Sequence, residues 1–352
     1  MRALYDAIIV GAGPVGCYAA RQLLAQKPKP RILLLDSAAR PGHKACSGLY
    51  STRLRSFVPI QKRWLEHTVR GAILHGPKGA RLVVRKPRTA AYVVHRSRFC
   101  AWLQKGLPIR KPIRVTALTQ HEDHAALHTS RGLYRAKLVL GCDGAASIVR
   151  KAAGLPEPKE KVTGLIALAQ EQDRSDSVEL FFNPSLLKDG FFWRIPRKAT
   201  VEYGLFATQA RFPQLLSFFP QLQRLPHRRE GALIPIGPNK TYADRVLLLG
   251  DAAGITKPWS GGGIIYGFIC AKIAARVAAQ ALRSGDCSAR ALAQYEKGWR
   301  RALGKQIRFG LLFRKAYRHL NNPAIDRALR LLASKRALSS QDMDFPDLER
   351  IS

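Results

Sequence analysis

Between two short apolar runs near the start of the chain, Ala3–Val10 and Ile32–Leu35, stands Gly11-Ala12-Gly13-Pro14-Val15-Gly16. The first run reads as a buried strand, and Pro14–Ala25 as a helix with small residues on one side. Lys27-Pro28-Lys29-Pro30 breaks that helix before a second buried strand. Strand, helix, strand at this spacing is a βαβ unit. In its first turn Gly11 permits the tight bend, Gly13 lets the backbone approach a pyrophosphate, and Gly16 lets the helix lie close on the sheet. The free N–H groups of the helix start then face the phosphates. Asp36 ends the second strand, where a carboxylate accepts both ribose hydroxyls and disfavours a 2′-phosphate. The pattern predicts a bound dinucleotide, with FAD and NAD both open at this stage.

The chain has 352 residues, enough for a large two-lobed enzyme, and 46% of them are hydrophobic, as in a globular fold. Against 24 Asp and Glu stand 59 Lys and Arg, a formal charge of +35. The excess is uneven: between Asp36 and Glu122 the only acid is Glu66, and from Arg290 to Arg336 only Glu296 and Asp326 oppose thirteen cations. Such a field attracts phosphorylated substrates, anionic lipid or acidic protein partners. No zinc-finger, RNA-recognition or helix-turn-helix signature accompanies it, which argues against nucleic acid. The six cysteines, Cys17, Cys46, Cys100, Cys142, Cys270 and Cys287, form no C-x-x-C pair, so a disulfide or zinc scaffold is not expected and a reducing cytoplasm is. Ala7–Val10 is too short for a signal peptide. The most apolar helical stretch, Gly261–Leu282, is interrupted by Lys272 and Arg276 and is not expected to span a bilayer.

Two further glycine segments follow strands. Asp244–Leu249 runs into Gly250-Asp251-Ala252-Ala253-Gly254, where a carboxylate followed by small residues suits the hydroxylated chain of a flavin. Then come Lys257-Pro258-Trp259-Ser260-Gly261-Gly262-Gly263-Ile264 and a long helical pattern, whose start aims N–H groups outward. The third piece is Leu138–Cys142 followed by Asp143-Gly144. In this order and spacing the segments resemble the p-hydroxybenzoate hydroxylase-like FAD superfamily. Within it the chain is similar to the geranylgeranyl reductase family, through Lys44-Ala45-Cys46-Ser47-Gly48-Leu49, Tyr92-Val93-Val94-His95-Arg96, Pro258 with the glycine triplet, and Gly190-Phe191-Phe192-Trp193-Arg194-Ile195-Pro196. Ser47 stands where that family often has Gly, Ile195 where Phe is common, and the region after the triplet is short.

The resemblance implies FAD contacts at Gly16, Asp36, Cys46, Ser47, Gly48, Arg96, Ala117, Asp251, Gly263 and Ile264, beside Gly11 and Gly13 of the turn. It also implies that Phe191, Phe192, Trp193 and Pro196 line a prenyl-binding surface, aided by Phe181, Phe182 and Phe206, and that Cys46 faces the flavin. The implied activity is saturation of prenyl double bonds in an isoprenoid lipid or prenyl diphosphate. No second G-x-G-x-x-G is present, so NAD(P)H would bind transiently or reduced ferredoxin would supply electrons. The expected cell site is the cytoplasm, at the inner face of the membrane.

The expected fold class is α/β (α+β): a Rossmann-like FAD-binding domain from 1–52, 92–156 and 239–285, interleaved with a β-sheet substrate domain from 53–91 and 157–238. A helical region with a loose tail, 286–352, completes the chain. Three other readings compete. A monooxygenase of the same fold would use Asp143-Gly144 to guide NAD(P)H. A flavin halogenase is suggested because Phe191-x-Trp193-x-Ile195-Pro196 is one residue from that family's W-x-W-x-I-P, although the glycine triplet favours the reductases. A non-enzymatic flavoprotein would dock on lipid through Gly298–Leu320, which mixes apolar residues with cations. His121, His124 and His128 flank an expected strand-to-strand turn that points the imidazoles apart, so no metal site is expected.

Overall fold

Stretches 1–43, 97–161 and 234–308 converge on one unit, and the intervening 44–96, 162–233 and 309–352 on another. The computed structural model describes residues 4–334 and 344.

The first unit is built on an eight-stranded sheet. Its main path runs Tyr242–Ala243, Val246–Leu248, Gly132–Gly141, Leu4–Val10, Ile32–Leu35, Ile109–Arg110. Leu4–Val10 pairs in parallel with both neighbours, as a βαβ crossover requires. The hairpin Val115–Gln120 and Ala125–Thr129 joins Gly132–Gly141 in antiparallel register. Ile8, Ile9, Leu34, Leu35, Leu138 and Leu140 have almost no exposure. Each such side chain contributes about 1.5–3 kcal/mol of transfer free energy. The helix Pro14–Leu24 lies on the long helix Ile264–Ser284, with Tyr18 stacked on Phe268 at 4.4 Å. Gly267 makes that approach possible, since a Cβ there would overlap Val15. Ile264–Ser284 is long and apolar enough to cross a bilayer by composition, but 67% of its most apolar window is buried inside the unit. Lys272 and Arg276 are exposed, so the helix reads as a core helix with a charged outer edge.

The second unit contains a seven-stranded sheet in the order His227–Ile236, Glu160–Ala169, Val201–Ala207, Phe191–Pro196, Ser177–Phe181, Gly71–His75, Arg81–Arg85. A smaller sheet pairs Leu49–Ser51 and Leu65–Val69 with Ala91–Val94. The helix Asn322–Ser334 covers one end of the large sheet, where Ile325 and Leu329 pack with Ala80 and Leu82. Its Asp326 is buried and accepts the N–H groups of Lys78 (2.9 Å) and Ala80 (2.7 Å).

The described residues from 286 onward are shared between the two units. The helix Ala289–Tyr317 buries Leu292, Tyr295, Trp299, Leu303 and Ile307, one stripe at three- and four-residue steps. Its residues up to Arg308 belong to the first unit and those from Phe309 to the second. Trp299, Leu303 and Ile307 are therefore core, whereas Leu312 and Phe313 are 67% and 48% exposed. Of the expected tail, 339–352, only Asp344 lies among the described residues.

Candidate cofactor and substrate sites

The three glycines of the first turn do different work. Gly11 has φ +99°, and a Cβ there would overlap the Cys142 carbonyl oxygen. A Cβ on Gly16 would overlap the Gly11 carbonyl oxygen. Both are fixed by the protein's own backbone. A Cβ on Gly13, by contrast, would meet nothing within 4 Å. Gly13 is also the N-cap of Pro14–Leu24, with no side chain capping the helix and no acid in its first turn. The helix start thus has open space at Gly13 and no side-chain cap, with the dipole's positive end behind it, which fits a pyrophosphate. Asp36 braces the same turn: Oδ2 accepts from Ala12 N–H and Oδ1 from Ala38 N–H, each at 2.7 Å. Each oxygen keeps a lone pair for a ribose hydroxyl. Gln104, which the sequence reading missed, donates to the Ala12 carbonyl at 2.9 Å.

The Asp143-Gly144 segment is held from within. Ser147 donates to Asp143 Oδ1 at 2.6 Å and Val149 N–H to Oδ2 at 3.1 Å, closing the start of the short helix Ile148–Ala152. Burial pushes the Asp143 carboxyl above its ordinary range despite these bonds. Arg150, also missed from sequence, is 3% exposed and bonds the Ala252 carbonyl (3.1 Å) and Glu157 (2.7 Å). It ties the Asp143 segment to the Gly250–Gly254 turn.

In that turn Gly250 and Gly254 both have positive φ. The following loop closes on itself, with Lys257 N–H to the Gly262 carbonyl at 3.0 Å and Gly261 N–H to the Lys257 carbonyl at 2.8 Å. Gly263 caps Ile264–Ser284 without a side-chain bond, and a Cβ on it would lie 3.3 Å from Asp251 Oδ1. The loop between them thus brings one carboxylate and one helix start without a side-chain cap side by side. Ala117 lies exposed on Val115–Gln120, opposite His128. His121–His124 do form a turn, but the two imidazoles stack at 4.6 Å instead of pointing apart, because the hairpin brings both to one side. Among the described residues no group of three ligating side chains could hold a metal ion.

Cys46, Ser47, Gly48 and Arg96 belong to the second unit. Gly48, at φ +66°, is needed because a Cβ would overlap the Val94 carbonyl oxygen. Cys46 Sγ lies 3.8 Å from the Tyr50 hydroxyl, to which Arg96 Nη1 donates at 3.0 Å. Tyr50, absent from the sequence reading, thus links the cysteine to the arginine.

Of the four aromatic-motif residues, the strand pleat sends Phe191 and Trp193 to one face and Phe192 and Pro196 to the other. Phe191 neighbours Phe182 (5.9 Å), Trp193 (5.9 Å) and Phe206 (5.5 Å), and Phe182 reaches Tyr317 (6.2 Å), making one aromatic row. Phe192 has no exposure, stacks on Phe218 at 3.9 Å and packs with Leu205, Leu215 and Phe219. Phe192 is core rather than wall, and Phe181 joins the same cluster. Tyr317 donates to the Gly190 carbonyl at 2.9 Å, and the buried Arg314 bonds Asp189 at 2.6 Å, so the end of Ala289–Tyr317 clamps the strand that carries the motif.

Glycine turn, βαβ unit and interleaved sheets define an FAD-binding fold of the Rossmann-like class. A model of the NAD(P)-binding Rossmann-like domain matches residues 9–77. The digeranylgeranylglycerophospholipid reductase 1 of Methanococcoides burtonii is 28% identical over 100% of this chain and 91% of its own length. The digeranylgeranylglycerophospholipid reductase of Methanothrix thermoacetophila is 27% identical over 97% and 93%. A geranylgeranyl bacteriochlorophyll reductase-like structure from Thermoplasma acidophilum superposes with TM-score 0.86 at 19% identity, covering 99% of this chain and 94% of that one. Over essentially its whole length the chain is thus similar to reductases of the geranylgeranyl reductase family. The chondrochloren halogenase CndH shares the fold, with TM-score 0.68 at 17% identity over 99% and 95%.

Proposed function

We propose that this protein is an FAD-dependent reductase that saturates carbon–carbon double bonds of geranylgeranyl groups on a membrane lipid such as digeranylgeranylglycerophospholipid. The observation that carries the reading is similarity over essentially the whole chain to reductases named for that lipid. Gly11–Gly16 and Asp36 would hold the pyrophosphate and ribose of FAD, and Asp251 with Gly263 and Ile264 its flavin half. Cys46, Ser47, Gly48 and Arg96 complete the set that the family resemblance implies. Bound FAD would supply hydride for one alkene carbon, and the other carbon needs a proton. Phe191, Trp193 and Phe182, backed by the buried Phe206, offer an apolar surface that aligns a flat isoprenoid chain and keeps water away. Asp143, whose oxygens are engaged by Ser147 and Val149, serves the fold rather than a nicotinamide.

Reduced ferredoxin or transiently bound NAD(P)H would recharge the flavin. The net charge of +35 supports an acidic electron carrier, and salt would then slow that step. We place the protein in the cytoplasm against the inner face of the membrane. Leu312, Phe313 and Leu320 are exposed beside Lys315 and Arg318, and the single acid between Phe309 and Ser334, Asp326, is buried. Such a surface suits an anionic bilayer. Flotation with anionic but not neutral vesicles, lost in L312S/F313S, is the expected result. Equal flotation of that variant refutes the docking.

The decisive assay is anaerobic incubation of dithionite-reduced, FAD-loaded protein with candidate prenyl lipids, read as mass gain in steps of two hydrogens. Product that forms only with oxygen uptake would overturn the reading in favour of the monooxygenase or halogenase chemistry.

A further inference from the structure

Glu202 has no exposure, and Arg197 is only 7% exposed. Glu202 accepts the Trp193 indole N–H at 2.8 Å and an Arg197 Nη2 bond at 2.6 Å. The same guanidinium donates from Nη1 to Glu66 and from Nη2 to the backbone carbonyl of Ser47. One cation thus gathers the cysteine segment, the strand Leu65–Val69 and the hairpin that carries the aromatic motif. Burying an ion pair costs several kcal/mol per ion before pairing repays it, and an apolar pair of similar volume is often no less stable. Stability alone does not account for the arrangement; directional bonds from a planar fork do.

Trp193 is held on its other sides as well. It packs with Val69, Ala91, Val93, Val178 and Ile195. It also lies over Gly204 on the neighbouring strand, where a Cβ would fall inside the indole ring.

We propose that Arg197 and Glu202 are positioning residues that lock the Trp193 indole and the Cys46-Ser47-Gly48 segment into one rigid body. The aromatic row and the cysteine segment thereby keep a single spacing. For the prenyl reduction proposed above, this spacing sets which part of the chain is presented for reduction. That consequence rests on the proposed function, whereas the locking itself does not.

The test uses R197M/E202Q, which removes both buried charges while keeping an acceptor for the indole N–H, with R197K as a second variant that keeps the charge but not the fork. In the purified full chain, alkylation of Cys46 is followed by peptide mass spectrometry, and Trp193 mobility by fluorescence anisotropy against a W193F blank. Expected are a lower melting temperature for the double variant, since Glu66 and the Ser47 carbonyl lose their partner, Cys46 alkylation faster by about tenfold through local opening well below that temperature, and lower anisotropy, with R197K intermediate. With FAD and prenyl lipid, KM rises and partly saturated products spread while kcat changes less. Unchanged alkylation and anisotropy in the double variant would overturn the proposal, whatever happens to stability. If both respond but the parent reduces no prenyl lipid, the locking stands and the proposed reaction falls.

Discussion

Substituting Gly13 with Ala separates a ligand-facing glycine from two that serve the fold. The new methyl meets no protein atom within 4 Å, and the residue's φ of −70° with ψ 178° is open to any amino acid. Two small effects oppose each other in the folded state: Ala is a poorer N-cap than Gly, by about 0.5–1 kcal/mol, and it restricts the unfolded chain, a gain of about 0.4–1 kcal/mol. The net change in stability of the cofactor-free protein should lie within about 0.5 kcal/mol. A pyrophosphate on the helix start needs the space that the methyl takes, so FAD affinity should fall at least about tenfold, or about 1.4 kcal/mol. G11A and G16A behave differently. Each places a methyl on a backbone carbonyl, and at Gly11 φ is +99°, so both should destabilise the chain with or without flavin. Thermal unfolding of the cofactor-free variants, with FAD titration followed by quenching of flavin fluorescence, gives both numbers. If G13A binds FAD as the parent does, no phosphate passes over Gly13 and the reading of this turn is wrong.

F192A should cost about 3–5 kcal/mol of stability as a core deletion, whereas F191A should cost less and act mainly on KM for a prenyl substrate; chemical denaturation and steady-state kinetics distinguish them. R150M leaves the Ala252 carbonyl without its donor, while Glu157 keeps Lys161 at 2.8 Å, so weaker FAD binding with an ordered sheet is expected, measured by titration and circular dichroism. For Asp189, burial works to raise its pKa, but bonds from Thr208 and the charges of Arg314 and Arg318 prevail and hold it below the ordinary carboxylate range. Its contribution is present above the unfolded value of about 3.9 and is lost as pH falls through the folded value. D189N should therefore be less stable at neutral pH by about 3 kcal/mol and lack that acid-side loss, as urea unfolding at pH 3 to 7 would show. Parallel pH curves for the two proteins would refute this.

The βαβ unit was legible because glycine spacing and buried-strand composition are local signals, and the strands and helix fall within one or two residues of their expected ends. The separation of Phe192 from Phe191 was also legible in principle, since a strand alternates faces, but a motif read as a block hides its own pleat. Arg150, Tyr50, Arg197 and Glu202 were not legible. In a chain with 59 Lys and Arg, nothing local distinguishes a buried arginine from a solvated one. Their partners lie as far as 150 residues away, as Ser47 does from Arg197. The helix Ala289–Tyr317 falls in the region expected to be helical, but periodicity cannot say that its buried stripe is divided between two units at Arg308.

The hollow at Gly204 makes Trp193 and its neighbour a knob and socket that can be exchanged only together. A bulkier residue at 204 alone evicts the indole, and a smaller one at 193 alone leaves a gap above a bare backbone. Anyone who wishes to fill the space at 204 must therefore shrink the residue at 193 in the same step, and paired libraries at 193 and 204 should yield folded proteins where libraries at 204 alone do not.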